Sequence, residues 1–264
     1  MIKFFRKIRQ RLLSENEFSK YLIYAIGEII LVVIGILIAL QINNWNEQRK
    51  IDKIEYSYLN RLSVDLEDNI TTWESLIKDE EKRFEATKQF IKFSLNKDRD
   101  SVLNVFPYFN IIARWDDLTI NQVTFDEMKN SGKLDIISND SIKINLLRLD
   151  QLYNKVFERK NSIKESHRKM IGEPVNEILN TLNFVVLDDA YSNLHPKTYT
   201  KTELESLLEL IGNDFFELIN NQTFMNSLVF SMYSHELVLG EIQHAHSNAQ
   251  RLKQLIDDEL KNFN

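Results

Sequence analysis

The sequence predicts an all-α protein, in which a single N-terminal transmembrane helix continues into an elongated antiparallel helical bundle. Three observations predict this fold class. Residues 21–42 form an almost unbroken apolar run, and apolar residues elsewhere recur at helical steps of three, four and seven. Glycine and proline are scarce, since six Gly and three Pro in 264 residues lie far below the usual ~7% and ~5%.

The first element is the transmembrane helix. About 20 apolar residues at a rise of 1.5 Å each match the ~30 Å hydrocarbon core of a bilayer. We therefore predict a membrane helix at residues 15–42, and Ser14 and Glu17 have the spacing of a capping box at its start. Residues 1–14 place basic and apolar side chains on opposite faces, which predicts an amphipathic segment on an anionic leaflet. A disordered basic stub is the alternative.

Lys and Arg are denser before the apolar run than after it. This bias predicts a cytoplasmic N-terminus and places residues 43–264 outside the cytoplasm. The apolar run is longer than the core of a cleaved signal peptide, and no small-x-small site follows it. We therefore expect the segment to be retained as a signal anchor.

The second region, residues 43–264, is acidic and contains no cysteine. The first 42 residues carry six basic and three acidic side chains and the whole chain is −6, so the remainder carries −9. Phosphate binding needs a basic face, which excludes nucleic acid as an expected partner. Disulfides and thiolate chemistry are excluded because the chain has no Cys.

Three long helices are predicted in this region. The first runs from the membrane to about Leu95, the second begins at a cap at Ser138 or Asp140, and the third spans residues 223–263. Gly172 and Pro174 are expected to kink or interrupt the second helix. The apolar positions expected to face the core are Leu59, Leu62, Leu66, Ile70, Trp73, Ile77, Phe84 and Ile91 on the first, Ile142, Leu146, Leu149, Tyr153, Val156, Ile163, Met170 and Ile171 on the second, and Phe224, Leu228, Leu239, Ile242, Ala249, Leu252, Ile256 and Phe263 on the third.

Shorter helices are predicted in the connections. Residues 120–131 and 202–211 each read as a helix that ends at the glycine which follows it. Thr202 and Glu205 have the spacing of a capping box for the second of these helices. Residues 193–200, with their proline, are expected to form a loop.

The main candidate site is a face of the transmembrane helix around Glu28. An ionisable side chain within a membrane span is a functional hypothesis by default. A small-xxx-small pair on the same face permits close approach of another helix. The predicted contact face comprises Tyr24, Glu28, Leu31, Gly35 and Ala39. The alternative is that Glu28 lies nearer the cytoplasmic interface, where water solvates it.

Three other candidates have simpler interpretations. Glu241 and His244 match half of a di-iron signature, but the ligand count fails, so no metal site and no cofactor are predicted. His235 lies on or beside the apolar stripe and is expected to be a satisfied core or boundary residue. A basic stretch forms a weak candidate patch for an anion or an acidic partner, although a solvated helix face is favoured: Arg159, Lys160, Lys164, Arg168 and Lys169, with His167 between them.

Two segments resemble a known family. Residues 4–47, FFRKIRQRLLSENEFSKYLIYAIGEIILVVIGILIALQINNWNE, resemble the N-terminal signature of an uncharacterised membrane-anchored family of Bacteroidota, a domain of unknown function. Residues 124–138, TFDEMKNSGKLDIIS, are similar to its second recurrent block. The resemblance implies a single-pass protein of the inner membrane, in which the charge bias would make the C-terminal domain periplasmic. It implies no activity, ligand or catalytic residue.

No enzyme signature is present: the sequence has no Gly-rich phosphate loop, no G-x-S-x-G elbow and no H-E-x-x-H. We therefore expect a non-enzymatic interaction or scaffold module that contacts the lipid bilayer and assembles as a homo-oligomer or with another membrane protein. The alternative is a sensor-like ectodomain that binds a ligand between its helices. Such a sensor would signal through a separate membrane subunit, because only about twenty residues precede the apolar run.

Overall fold

A computed structural model describes residues 18–96, 102–114, 117–185 and 199–263, and all regular structure within these ranges is helical. The predicted capping box at Ser14 and Glu17 and the amphipathic segment 1–14 lie outside the described residues. So does most of the predicted loop at 193–200.

The described helices are α1 (Phe18–Asn96), α2 (Val102–Ala113), α3 (Val123–Asn130), α4 (Asp140–His167), α5 (Glu173–Ile178), α6 (Leu182–Val185), α7 (Lys201–Asn220) and α8 (Gln222–Lys261). A 3₁₀ turn, Lys133–Ile136, follows α3, and a π-helical segment, Arg168–Gly172, joins α4 to α5. The first long helix therefore ends within one residue of its predicted end. A π-helical insertion stands where the sequence predicted a kink.

The chain divides into two compact units, of which one ends at Ser57 and the other runs from Tyr58 to Asn262. The first unit contains the N-terminal part of α1, where an apolar stretch of the helix is long enough to cross a bilayer and none of it is buried. Its described large apolar side chains are exposed, as at Leu31 and Ile36. By length and composition this stretch could span a membrane.

The second unit is a bundle of α1, α4 and α8. From Ser63 to Glu80 along α1, the hydrogen-bond partners on α8 move backwards from Asp257 to His235. The partners of α4 also move backwards along α8. α8 is therefore antiparallel to both α1 and α4, as the predicted antiparallel bundle requires.

A core of aromatic side chains closes the C-terminal end of α1 in this bundle. Phe90 is fully buried. Its ring lies about 6.0 Å from the rings of Phe109 and Phe215 and 5.9 Å from Phe224. Such offset and edge-to-face contacts are the favoured aromatic geometry. They bring α2 and α7 onto the long helices.

Three predicted details are wrong. α7 continues through Gly212 to Asn220, because Gly212 is buried against neighbouring helices rather than placed at an exposed helix end. The capping box of this helix is formed by Thr200 and Glu203, whose side chains bond each other's backbone, and not by Thr202 and Glu205. The cap of α4 is Asn139, whose side chain accepts from Ser141 N, between the two predicted candidates.

Candidate functional site

A triad of ionisable side chains lies in the interior of the bundle, with one residue from each long helix. Glu80 on α1 accepts hydrogen bonds from Lys160 Nζ on α4, at 2.9 Å, and from His235 Nδ1 on α8, at 2.7 Å. The three side chains are only 4%, 6% and 2% exposed. Few charged residues are buried so completely unless they are paired.

The triad is held together by charge. Burial alone would raise the pKa of Glu80, but the hydrogen bond from His235 and the charge of Lys160 outweigh it and lower the pKa to about 2. The carboxylate is therefore ionised and serves both partners at once. Removing one partner of such a buried pair is typically destabilising by about 3–5 kcal/mol, since a charge is left uncompensated.

A second polar contact lies beside the triad, where α2 ends. Arg83 donates to the carbonyl oxygens of Ile111 and Arg114, and His167 Nε2 donates to the carbonyl of Ile112 at 2.7 Å. These carbonyls belong to the last turn of a helix, which lacks intrahelical donors and carries partial negative charge. Burial is the main reason why the pKa of His167 is lowered, so its neutral form fits this place.

The segment 124–138 is fastened to α1 by a cluster around Tyr58. Tyr58 Oη donates to Glu127 Oε1 at 2.7 Å, and Arg61 donates to Glu127 Oε2 at 2.6 Å. Lys133 donates to Tyr58 Oη at 2.9 Å and lies over its ring. The hydrogen bond from Arg61 makes the largest contribution to lowering the pKa of Glu127 below its ordinary value, and the hydrogen bond from Tyr58 makes the next largest.

The predicted membrane contact face lies on the exposed part of α1. Glu28 is partly exposed, and Leu31, Gly35 and Ala39 are exposed. The side chain of Tyr24 lies outside the described ones. A Cβ placed on Gly35 would meet no atom within 4 Å, so this side of the helix is open to close approach by another chain.

The predicted basic patch is not one surface. Lys160 lies in the interior with Glu80, and the others have separate acidic partners on the outside of the bundle. Arg159 pairs with Glu241, Lys164 with Asp117, and Arg168 with Glu165 and Glu173, while Lys169 is exposed at the π-helical segment. What the sequence presents as a run of charge is therefore divided among several contacts.

Glu241 and His244 also have separate surroundings. Glu241 accepts from Lys155 at 3.0 Å and from Arg159 at 2.6 Å, whereas His244 is exposed. Across the residues that the structure describes, no three His, Asp or Glu side chains are grouped so that they could hold a metal ion.

A surface groove runs between α4 and α8 and has room for about 470 Å³. We call it the α4–α8 groove. Exposed apolar side chains of α8, charged side chains of α4 and serines of both helices line it. Its lining residues are Lys155, Glu158, Arg159, Ser162, Ile163, Ser166, Phe230, Tyr233, Ser234 and Leu237.

Comparison with known proteins places the chain in a family. Residues 28–187, more than half of the chain, match a family described as "Family of unknown function (DUF6090)". The chain belongs to this family. No curated protein and no solved structure matches the chain.

The family match includes the candidate membrane face from Glu28 onward and part of the buried triad. Glu28, Glu80, Lys160 and the segment 124–138 lie inside the matched residues, whereas α7 and α8, with His235, lie beyond them. The family description assigns no activity to any of these residues.

The triad was not predicted from the sequence, although the positions of two of its members in the sequence indicate burial. Lys160 lies four residues after Val156 and three before Ile163, which places it on the buried stripe of α4. Glu80 likewise lies four residues after Leu76 on the buried side of α1. A charged residue at a core position predicts a buried ion pair, and this signal was hidden in Lys160 by its exposed basic neighbours.

Proposed function

We propose that this protein is a non-enzymatic, membrane-anchored interaction module that assembles with other membrane or envelope proteins. The observation that carries the proposal is the apolar stretch of α1, which is long enough to cross a bilayer and of which none is buried. The large apolar side chains described in this stretch are exposed, as at Leu31 and Ile36. The C-terminal part of the same helix belongs to a bundle with a well-packed core.

Lipid is the proposed surrounding of the apolar stretch. Exposed apolar surface of this extent is unfavourable in water, and contiguous exposed patches above a few hundred Å² mark interaction or membrane surfaces. The bias of Lys and Arg toward the N-terminus supports a cytoplasmic N-terminus and a periplasmic bundle. The resemblance to an inner-membrane family of Bacteroidota supports the same location.

A second transmembrane helix is the proposed partner of the face around Glu28. A carboxyl group in hydrocarbon is unfavourable and is normally placed against protein or water. Gly35 and Ala39 lie on the same face as Glu28, two turns and three turns away, and small residues at such spacing let helices approach closely. The proposed contact therefore combines a polar group with a close backbone approach.

The test is co-purification from native membranes in mild detergent, with partners identified by mass spectrometry. Wild-type protein is expected to retain a partner, or a second copy, that Glu28→Leu and Gly35→Leu both lose. Gly27→Leu is the matched control, since Gly27 lies about 100° away around the helix from Glu28 and a Cβ there also meets nothing within 4 Å. Complexes of identical size and composition in all four proteins would refute the proposed contact.

A further inference from the structure

The α4–α8 groove carries an exposed apolar stripe on α8. Phe230, Tyr233 and Leu237 are 55%, 56% and 60% exposed, and their spacing of three and four places them on one helical face. Single exposed apolar residues are ordinary, but adjacent ones form a continuous patch. At about half exposure, three large side chains offer on the order of 300 Å² of apolar surface, which reaches the size of functional patches.

The charged residues around the groove balance one another. Lys155 and Arg159 both bond Glu241, and Glu158 lies beside them in the groove lining. Burial opposes the ionisation of Glu241, but hydrogen bonds from Arg159 and Lys155 hold its pKa below the ordinary value. Two cations and two carboxylates give a rim that has no net charge but carries both signs.

The end of the groove contains a buried hydroxyl group. Ser231 is 6% exposed, and its Oγ has no hydrogen-bond partner in the described part of the chain. It lines a small extension of the groove, which shares Ile163, Ser166 and Phe230 with the main groove and ends at the π-helical segment. A buried polar atom of this kind is uncommon, and π-helical insertions are frequent at functional sites.

We propose that the α4–α8 groove is the contact surface for a second copy of this chain, related to the first by a two-fold axis. In such a contact the same patch lies on both sides. A rim with both signs is self-complementary, because Lys155 and Arg159 of one copy can face Glu158 of the other. A strongly charged partner would meet no surface of opposite net charge here.

The buried area fits a weak dimer. The two apolar stripes together contribute on the order of 600 Å², about half of the ~1,000–1,200 Å² at the low end of specific interfaces, and the charged rims of the two copies supply the remainder of a weak contact. Anchoring both copies in one membrane would favour the dimer, because tethering raises their effective concentration. Only this last gain depends on the proposed membrane anchor, because the groove lies entirely within the bundle.

Cross-linking of full-length protein in mild detergent or lipid nanodiscs tests the proposal. The chain contains no cysteine, so a single introduced cysteine reports its own neighbours. Tyr233→Cys lies on the stripe, whereas Gln243→Cys is exposed on the same helix about 80° away around it. Under mild oxidation, disulfide-linked homodimer is expected to form about tenfold faster with Tyr233→Cys, because the bond needs Cα atoms within about 7 Å.

A pair of charge substitutions supplies the second measurement. Leu237→Glu is expected to reduce the dimer fraction of the full chain at least about fivefold, while Leu210→Glu, which alters an equally exposed leucine on α7, leaves it unchanged. Equal cross-linking at positions 233 and 243 in folded protein, or a wild-type monomer at every concentration, would overturn the proposal, as would a cross-link to another protein. Cross-linking at position 233 that persists in Glu28→Leu separates this contact from the proposed membrane contact.

Discussion

Two glutamates on the same helix show two different ways of placing a carboxylate among apolar residues. Glu80 lies in the bundle, where α4 and α8 supply a lysine and a histidine to its two oxygens. Glu28 lies on the exposed apolar stretch of α1, where Leu31 and its neighbours face outward. The bundle therefore satisfies its own charge, whereas for the apolar stretch we propose lipid or another protein as the surrounding. We therefore expect Glu80 to stabilise the fold, whereas Glu28 is a candidate for contact with another transmembrane helix.

The first prediction concerns the stability that Glu80 provides in the bundle and has the largest expected effect. Glu80→Leu leaves Lys160 and His235 buried without their carboxylate, so it is expected to reduce the free energy of unfolding by about 3–5 kcal/mol. Urea denaturation followed by tryptophan fluorescence measures the loss, since Trp73 is fully buried. Glu85→Leu, at an exposed site of the same helix, is the control and is expected to change stability by less than about 0.5 kcal/mol.

The same prediction distinguishes charge from packing. The triple variant Glu80→Leu, Lys160→Met, His235→Leu removes all three polar groups together and is expected to recover most of the lost stability, since well-packed apolar replacements of buried ion pairs are often neutral or stabilising. A triple variant as unstable as Glu80→Leu alone would show that shape, and not pairing, limits substitution at this site.

The buried stripe of α1 shows how far the sequence predicts the fold. Leu62, Leu66 and Trp73 were predicted in the core and are buried there, but Ile70 and Ile77 are only half-buried. The buried positions of α1 form two series with a step of seven, and Ile70 and Ile77 lie beside these series, directly after Asn69 and Leu76. Polar residues occupy several of the core positions, namely Asn69, Glu80, Arg83 and Thr87, so a count of apolar residues alone does not find the whole stripe.

The candidate sites also differ in how far the sequence predicts them. The membrane face around Glu28 could be proposed from the sequence because an apolar stretch makes any charge conspicuous. The triad could not, since its members lie 75 to 155 residues apart and each has polar neighbours that suggest an exposed surface. The α4–α8 groove also required the structure, because exposure of Phe230 and Tyr233 cannot be read from a helix with apolar residues on several faces.

The second prediction concerns the pH dependence of stability, in which His167 and Glu80 act over different pH ranges. Burial lowers the pKa of His167 below its ordinary value of 6.5, so the unfolded chain binds a proton more readily than the folded one. Stability is therefore full above about pH 6.5 and falls as the pH drops below it. The fall is at most about 1.4 kcal/mol per pH unit for one group. Thermal melts between pH 7.5 and 5 measure it.

Glu80 contributes at lower pH and with the same sign, because folding lowers its pKa as well. Its pKa is about 2 in the fold against an ordinary 4.5, so its stabilisation is present above pH 4.5 and is lost as the pH falls toward 2. His167→Gln retains a donor for the Ile112 carbonyl but does not titrate. It is expected to flatten the melts between pH 7 and 5 and to leave the lower step unchanged; an unaltered profile would assign the upper step to other groups.

The third prediction has the smallest effect and compares two glycines outside the apolar stretch. Gly132 has a φ of +68° between α3 and the 3₁₀ turn, whereas Gly240 lies in the middle of α8 with no atom within 4 Å of an added Cβ. Gly132→Ala is expected to destabilise the protein by about 1 kcal/mol, because an L side chain is strained in the left-handed region. Gly240→Ala is expected to stabilise it by about 0.5–1 kcal/mol, because alanine loses less backbone entropy in a helix. Urea midpoints of the two variants should therefore move in opposite directions. A shift of the same sign would contradict either the backbone strain expected at position 132 or the gain in helix stability expected at position 240, and the variant whose midpoint moves against expectation identifies which.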